Sequence, residues 1–219
     1  MRLRPLSLLL VLTAACALSQ ARTAVIPAPV LDAPRATTPV TRTAVVAGGC
    51  FWGIEAVYEH VGGVTRSVSG YAGGNAASAR YELVSTGTTG HAEAVQITYD
   101  ASRLTYGQIL HVFFSVAHDP TQLNRQGPDH GPQYRSAIFT ADAEQEQIAR
   151  AYIDQLTAAR AFPQRIVTAI STLRAFYSAE PEHQDYAARN PGDPYIRIND
   201  APKVAALQKH FPDLFVVRK

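Results

Sequence analysis

The stretch VVAGGCFWGIEAVYEH, residues 45–60, joins a β-branched run to a helical pattern through two glycines. The valines are typical of a strand, and Gly48-Gly49 is typical of a turn. After the turn, apolar side chains recur at the spacing of one helix face, at Ile54, Val57, Tyr58 and Val61. The sequence therefore predicts a strand–turn–helix unit that places Cys50 where the helix begins.

Cys50 has two possible explanations at this position. The start of a helix presents unpaired N–H groups and the positive end of the helix dipole, which favour the nucleophilic thiolate. Alternatively, Cys50 is a small buried hydrophobic residue, as unpaired cysteines usually are. Phe51 and Trp52 also have two possible explanations. An aromatic pair at a helix start either lines a pocket for an apolar group or packs in the core.

Composition restricts the class of protein. The chain has 219 residues, 47% of them hydrophobic and 17% charged, as expected of one globular domain. Its net charge of +2 comes from 20 basic and 18 acidic residues, and Arg2 and Arg4 precede any acid. The remainder carries 18 of each sign, so we expect neither a nucleic-acid nor a membrane-surface partner.

Residues 1–21 have the pattern of a signal peptide, with a basic start and an apolar run. We expect cleavage near Arg22 and a periplasmic or secreted protein. The alternative is a membrane-anchored lipoprotein, because LTAAC resembles an imperfect lipoprotein box ending at Cys16. On either prediction Cys50 is the one thiol of the folded domain, and no intramolecular disulfide forms.

Residues 22–42 are rich in Ala, Pro and Thr and predict a flexible tether, so the catalytic domain is expected at 43–219. Strands are predicted within 43–49, 64–74, 91–100, 136–140 and 165–172. Helices are predicted after Cys50, after a capping box at Thr105 and Gln108, and over about 142–160. The order indicates an α+β fold, with a mixed or antiparallel sheet, helices packed on it, and long loops.

Glu93 is the second candidate for chemistry. In HAEAVQITY it shares one strand face with Val95, Ile97 and Tyr99. A carboxyl group on an apolar face is desolvated, which raises its pKa. Glu93 is therefore a candidate general acid, unless it lies at a strand end and turns into solvent.

Other polar candidates lie in irregular segments. Tyr81, Tyr134 and Tyr186 offer neutral hydrogen-bond donors suited to a developing oxyanion, and the alternative for each is a half-buried residue that serves only packing. Asp129 and His130 lie in GPDHGPQYR, and His183 lies in EPEHQDY. The seven histidines lack metal-ligand spacing, so no metal site is predicted, but a Cys–His pair stays open because such partners meet only in the fold.

Four segments together resemble the peptide methionine sulfoxide reductases of type A. They are GCFWGIEAVYEHVGGVTRSVSGYAGG, YELVSTGTTGHAEAVQITYD, HDPTQLNRQGPDHGPQYRSAIF and AEPEHQDY. The resemblance runs from about residue 43 to about residue 209. It implies a two-layer, ferredoxin-like α+β sandwich around a mixed sheet, with no metal or organic cofactor. It also implies a monomer that acts on the S epimer of methionine sulfoxide, either free or within oxidised proteins.

The resemblance also implies roles for individual residues. Cys50 is the expected nucleophile, and Glu93 the expected acid that protonates the sulfoxide oxygen. Tyr81 and Tyr134 are expected to donate hydrogen bonds to that oxygen. The substrate is expected to be positioned by Asp129 and to place its S-methyl group against Phe51 and Trp52. His183 and Tyr186 are left as supporting candidates, because Glu182 stands where relatives often have an aromatic residue.

The chain departs from many relatives in its cysteines. Those relatives carry resolving cysteines in positions where this chain has Val84-Ser85 and Ile196. We therefore expect a one-cysteine cycle, in which a thioredoxin-like protein or a small thiol reduces the sulfenic acid of Cys50. The alternatives are a cysteine hydrolase, with His91 or His183 as base, and a sulfoxide-binding module without catalysis. The binding module is disfavoured because every expected catalytic position is filled.

Overall fold

The computed structural model describes residues 26–218. The strands are β1 (Thr41–Ala47), β2 (Val64–Ala72), β3 (Ala92–Asp100), β4 (Arg125–Gln126), β5 (Asp129–His130), β6 (Ala137–Thr140), β7 (Ala169–Thr172) and β8 (Phe176–Ser178). The helices are α1 (Phe51–Glu59), α2 (Tyr81–Val84), α3 (Tyr106–Val112), α4 (Ala143–Ala158), α5 (Tyr186–Arg189) and α6 (Ala201–His210). Short 3-10 and π turns lie between them, and none of the described helices is long and apolar enough to cross a membrane.

Six strands form one sheet in the order β7-β6-β1-β3-β2-β8, and β4 and β5 form a separate ribbon. Every pairing in the large sheet is antiparallel except that of β6 with β7. The expectation of an α+β fold with a mixed sheet is therefore confirmed. Strand β7 is shorter than the pattern of 165–172 predicts, and β8, α2 and the ribbon inside the 118–135 loop have no clear periodic signal.

The two faces of the sheet bury different side chains. On the face that carries the helices, Val46, Val95 and Ile97 belong to the main apolar cluster together with residues of α1, α3 and α4. On the other face, a smaller cluster consists mostly of alanines and contains Phe139. Large side chains on one face and small ones on the other produce a two-layer sandwich, with α1 packed across β2 and β3.

Residues 26–40 differ from the predicted flexible tether. Ile26 is buried, and its carbonyl oxygen accepts a hydrogen bond from the His111 ring at 2.9 Å. Tyr152 donates to the carbonyl of Pro27 at 2.8 Å, so the segment contacts both α3 and α4. Lack of periodicity indicated disorder, whereas these contacts give the segment an ordered path along the helices. Residues 1–25, with the signal peptide and Cys16, lie outside the described part of the chain.

Asp32 anchors this segment to the start of α3. Its carboxylate accepts from the backbone N–H of Gly107 at 2.6 Å and from the hydroxyl of Thr105. Thr105 also forms the predicted capping box with Gln108. Because Asp32 satisfies a helix N–H that has no partner within the helix, we expect Asp32→Ala to lower the free energy of unfolding by about 1–2 kcal/mol. Urea denaturation measures this change.

The matched control for this prediction is Asp154→Ala, which removes the same charge from an exposed position of α4. It should change the free energy of unfolding by less than about 0.5 kcal/mol. Equal effects of the two substitutions would mean that residues 26–40 do not stabilise the domain through Asp32.

Candidate active site

The turn between β1 and α1 fixes the position of Cys50. Gly49 has φ of +98°, a conformation that L side chains rarely adopt, and a Cβ there would lie 2.5 Å from the side chain of Gln126. Cys50 follows as the N-cap of α1 and is 7% exposed. The predicted strand–turn–helix unit is therefore confirmed, with the cysteine at the helix start.

The expected thiolate character of Cys50 is wrong for the resting site. Burial raises the pKa of its thiol well above the ordinary value, and the negative charges of Glu93 and Asp200 raise it further. The backbone N–H of Trp52 and the ammonium of Lys203 act in the opposite direction but with less effect. The helix start is present as predicted, but desolvation outweighs it.

Glu93 lies at the start of β3 and is 2% exposed. Its carboxyl accepts the backbone N–H of Phe51 at 3.1 Å, which places it beside the first residue of α1. Burial raises the pKa of Glu93 to about 8, and the charge of Asp129 adds to the effect. The prediction of a desolvated carboxyl with a raised pKa is confirmed, and Glu93 is protonated at neutral pH.

Four aromatic rings form a wall beside Cys50. Phe51 is fully buried, with its ring centroid 5.4 Å from that of His183. Trp52 stacks on Tyr186 at 3.8 Å with an interplanar angle of 12°, and on His183 at 5.9 Å. The sequence left His183 and Tyr186 uncertain, and the structure places both in direct contact with Trp52.

Tyr81 and Tyr134 converge on the same region from two different segments. Tyr81 begins α2, where Glu180 accepts its backbone N–H at 3.0 Å, and its ring lies 4.3 Å from that of His183. Tyr134 ends a 3-10 turn (Pro132–Tyr134). Burial and the charge of Glu93 raise the pKa of both phenols, and Cys50 contributes as well. Both side chains therefore remain neutral hydrogen-bond donors.

Tyr195 is a residue that the sequence analysis missed. Its hydroxyl donates a hydrogen bond to Asp129, and its ring packs edge-on against Trp52 with centroids 6.0 Å apart. Burial and the charge of Cys50 raise the pKa of Tyr195. The sequence does carry a signal for Tyr195, because it lies in the polar, irregular segment NPGDPYIRIND. The same kind of surroundings singled out Tyr81 and Tyr134.

The histidines do not form a catalytic pair with Cys50. Both ring nitrogens of His91 contact backbone groups, the N–H of Gly74 at 3.2 Å and the carbonyl of Asn75 at 2.9 Å. His183 packs against three aromatic rings, and burial lowers its pKa. His130 is exposed on the β4–β5 ribbon. The hydrolase alternative therefore lacks a well-placed base.

One group of carboxylates within residues 26–218 is close enough to hold a cation. Its members are Glu55, Glu59 and Asp185, on α1 and in the turn before α5. The guanidinium of Arg218 already contacts Glu59 at 2.8 Å and Asp185. We assign no metal site to this group, because an arginine supplies the positive charge.

A buried thiol beside a protonated carboxyl and neutral phenols defines a thiol-dependent oxidoreductase site. The family model for peptide methionine sulfoxide reductases matches residues 42–214. The chain is 58% identical over 177 residues to peptide methionine sulfoxide reductase MsrA 2 of Mesorhizobium japonicum, covering 81% of this chain and 91% of that protein. It is 51% identical over 191 residues to peptide methionine sulfoxide reductase MsrA 2 of Synechocystis sp., covering 86% of this chain and 89% of that protein. The chain belongs to the peptide methionine sulfoxide reductase family.

Solved structures agree with this assignment. The reduced form of Mxr1 from Saccharomyces cerevisiae matches with a TM-score of 0.62 and 30% identity, over 72% of this chain and 92% of that one. Methionine sulfoxide reductase A of Corynebacterium diphtheriae matches with a TM-score of 0.59 and 38% identity, over 71% of this chain and 77% of that one. The predicted fold and family are confirmed, and the hydrolase alternative receives no support.

Proposed function

We propose that this protein reduces methionine sulfoxide, free or within oxidised proteins, with Cys50 as nucleophile and Glu93 as acid. The observation that carries the proposal is the placement of Glu93, a buried carboxyl hydrogen-bonded to the N–H that follows Cys50. Sulfoxide reduction requires a soft nucleophile and a nearby proton donor, and these two groups supply them. By resemblance to the family, the substrate is the S epimer.

The two groups share their protons in a way that suits the reaction. Burial raises the pKa of both, so each holds a proton in the resting site at neutral pH. When one proton leaves, the repulsion between two adjacent negative charges disfavours double ionisation. The reactive state has one proton on the pair and is the less populated of the two one-proton forms, with Cys50 as thiolate and Glu93 as carboxylic acid, because the pKa of the thiol is raised well above its ordinary value while that of Glu93 is about 8.

The thiolate of Cys50 attacks the sulfoxide sulfur and forms an S–S bond, while Glu93 gives its proton to the sulfoxide oxygen, which leaves as hydroxide when the S–O bond breaks. The hydroxide then attacks the Cys50 sulfur, and the S–S bond breaks with its electron pair on the methionine sulfur. The methionine sulfur gains two electrons, and the Cys50 sulfur loses two. The oxygen and the proton from Glu93 end on Cys50 as a sulfenic acid. Tyr81 and Tyr134 stabilise the charge that develops on oxygen, because neutral phenols donate hydrogen bonds without adding a charge.

The aromatic wall and Asp129 position the substrate. Trp52 is half-buried and offers an apolar surface to the S-methyl group, and the fully buried Phe51 packs against the indole with ring centroids 6.4 Å apart. Tyr186 and His183 hold the Trp52 indole by stacking. The hydrogen bond from Tyr195 fixes the orientation of the Asp129 carboxylate. Because the wall is apolar, it accepts the methyl group in preference to the oxygen.

Recycling requires a thiol from another molecule. No second cysteine lies among residues 26–218, and Cys50 has no disulfide partner there. An external thiol attacks the sulfenic acid, which releases water and leaves a mixed disulfide. A second thiol then releases Cys50. We propose a thioredoxin-like protein or a small thiol as the donor. Export to the periplasm or beyond is also proposed, and only the leader sequence supports it.

The decisive experiment is a single turnover without reductant. Reduced enzyme is mixed with methionine sulfoxide, and both products are weighed by mass spectrometry. We expect about one methionine per enzyme and a protein that has gained one oxygen, or lost two hydrogens if the sulfenic acid condenses with a backbone nitrogen. Cys50→Ser should release no methionine.

A chain that begins at Arg22 is the control for Cys16. If the full chain loses two hydrogens while the shorter chain gains an oxygen, Cys16 acts as a resolver and the one-cysteine cycle is wrong. An acyl adduct on Cys50 with a suitable ester, without methionine release, would favour a hydrolase. Failure of the reduced wild-type enzyme to form methionine refutes the proposed function.

A further inference from the structure

Asp200 and Lys203 form an ion pair inside the domain, where α6 begins. The Lys203 ammonium lies 3.0 Å from a carboxylate oxygen of Asp200. Asp200 is 0% exposed, and the side chain of Lys203 is 17% exposed. Neither residue follows from the cysteine or tyrosine patterns in the sequence, and neither has a role in the proposed reaction.

The ion pair occupies the space beside Gly53. A Cβ on Gly53 would lie 2.1 Å from the carboxylate of Asp200 and 2.7 Å from the ammonium of Lys203. Gly53 is the third residue of α1, and Cys50 is the N-cap of the same helix. The two opposite charges are therefore next to the first turn of the helix that carries the thiol.

Both charges act on Cys50. The negative charge of Asp200 raises the pKa of the thiol, and the positive charge of Lys203 lowers it. The other groups that act on Cys50, or on which it acts, are Glu93 from β3 and the phenols of Tyr81, Tyr134, Tyr186 and Tyr195. Among these groups, Lys203 brings the one positive charge.

Stability alone explains this ion pair poorly. The second carboxylate oxygen of Asp200 is buried and has no hydrogen-bond partner within the described part of the chain. A buried ion pair with an unsatisfied oxygen contributes little to the free energy of folding, because desolvation offsets the attraction. Its position beside the nucleophile gives a better explanation.

We propose that Asp200 is a positioning residue that keeps the resting Cys50 as a thiol, by holding and neutralising the Lys203 ammonium that would otherwise stabilise the thiolate. The consequence is a nucleophile that is protected from alkylation and adventitious oxidation until substrate arrives. This inference rests on the proposed role of Cys50 as the nucleophile.

The test follows the rate at which iodoacetamide alkylates Cys50 in the full, reduced chain from pH 6 to 10. Alkylation reports the thiolate and needs no sulfoxide, so it can fail or succeed independently of reductase activity. Asp200→Asn keeps an oxygen that can accept from Lys203 but removes the charge. We expect about tenfold faster alkylation at pH 7 and a titration midpoint shifted to lower pH.

Second substitutions separate charge from packing. Adding Lys203→Met to Asp200→Asn should reduce the acceleration to the part that comes from loss of the Asp200 charge itself, whereas adding Lys203→Arg should keep all of it. Lys209→Met is the matched control, because Lys209 lies on the exposed side of the same helix. Its Cys50 should be alkylated at the wild-type rate. Circular dichroism checks that each variant is folded. If Asp200→Asn does not fold, Asp200→Ser takes its place as the neutral variant.

Two results would overturn the proposal. One is a folded, neutral variant at position 200 whose Cys50 reacts no faster than wild type. The other is equal acceleration with and without a positive charge at position 203, which would mean that Asp200 acts through its own charge, through packing or through access, and not through Lys203.

Discussion

Glu93→Gln is expected to slow the single-turnover release of methionine by about 10²–10⁴-fold at neutral pH, the range for loss of a general acid. The glutamine is nearly isosteric, and its carbonyl can still accept the N–H of Phe51 that Glu93 now accepts. The active-site turn should therefore be preserved while the proton donor is lost. Rapid mixing of reduced enzyme with methionine sulfoxide measures the rate.

The pH dependence distinguishes an acid from a structural group. The wild-type rate should rise through about pH 8, where the first proton leaves the Cys50–Glu93 pair, and fall at higher pH as the second one leaves. In Glu93→Gln the decline at high pH should disappear, because only the thiol still ionises. Glu182→Gln, at an exposed position beside His183, is the matched control and should keep the wild-type profile. An unchanged neutral rate in Glu93→Gln would show that another group supplies the proton.

Local patterns predicted the elements of the site well. The 45–60 stretch gave a strand, a turn and a helix because its periodicity changes at the glycines, and the structure has each of them. The alternation in β3 correctly placed Glu93 on the face that carries the helices, with Val95 and Ile97. Both results depend on interactions between residues close in sequence, which a pattern can encode.

What the sequence could not predict arises from contacts between distant segments. Burial raises the pKa of the Cys50 thiol although the helix start favours the thiolate, and the charges of Glu93 and Asp200, each more than 40 positions away in sequence, raise it further. Tyr195 contacts Asp129 across 66 positions of sequence, and Asp200 reaches Gly53 across an even longer separation. Residues 26–40 have no periodicity, and their order comes from α3 and α4.

Trp52→Ala is expected to abolish most of the preference for an S-methyl group. The indole is held between Tyr186, stacked at 3.8 Å, and the edge of Tyr195 at 6.0 Å, so the apolar surface beside Cys50 has a fixed shape. Its removal leaves a wider and wetter site. We expect kcat/KM for methionine sulfoxide to fall about 10–200-fold, the range for loss of apolar contacts around a small group.

The substrate comparison makes this prediction specific. Ethionine sulfoxide differs from methionine sulfoxide by one methylene at the group that faces the wall. Wild-type enzyme should favour the methyl compound, and Trp52→Ala should bring the two kcat/KM values close together. Phe215→Ala removes an aromatic ring that stacks on His60 at 5.6 Å, and should keep the wild-type ratio. If Trp52→Ala lowers both values equally, Trp52 supports the fold of the site but does not contact the methyl group, and the binding surface must be sought at Phe51 and His183.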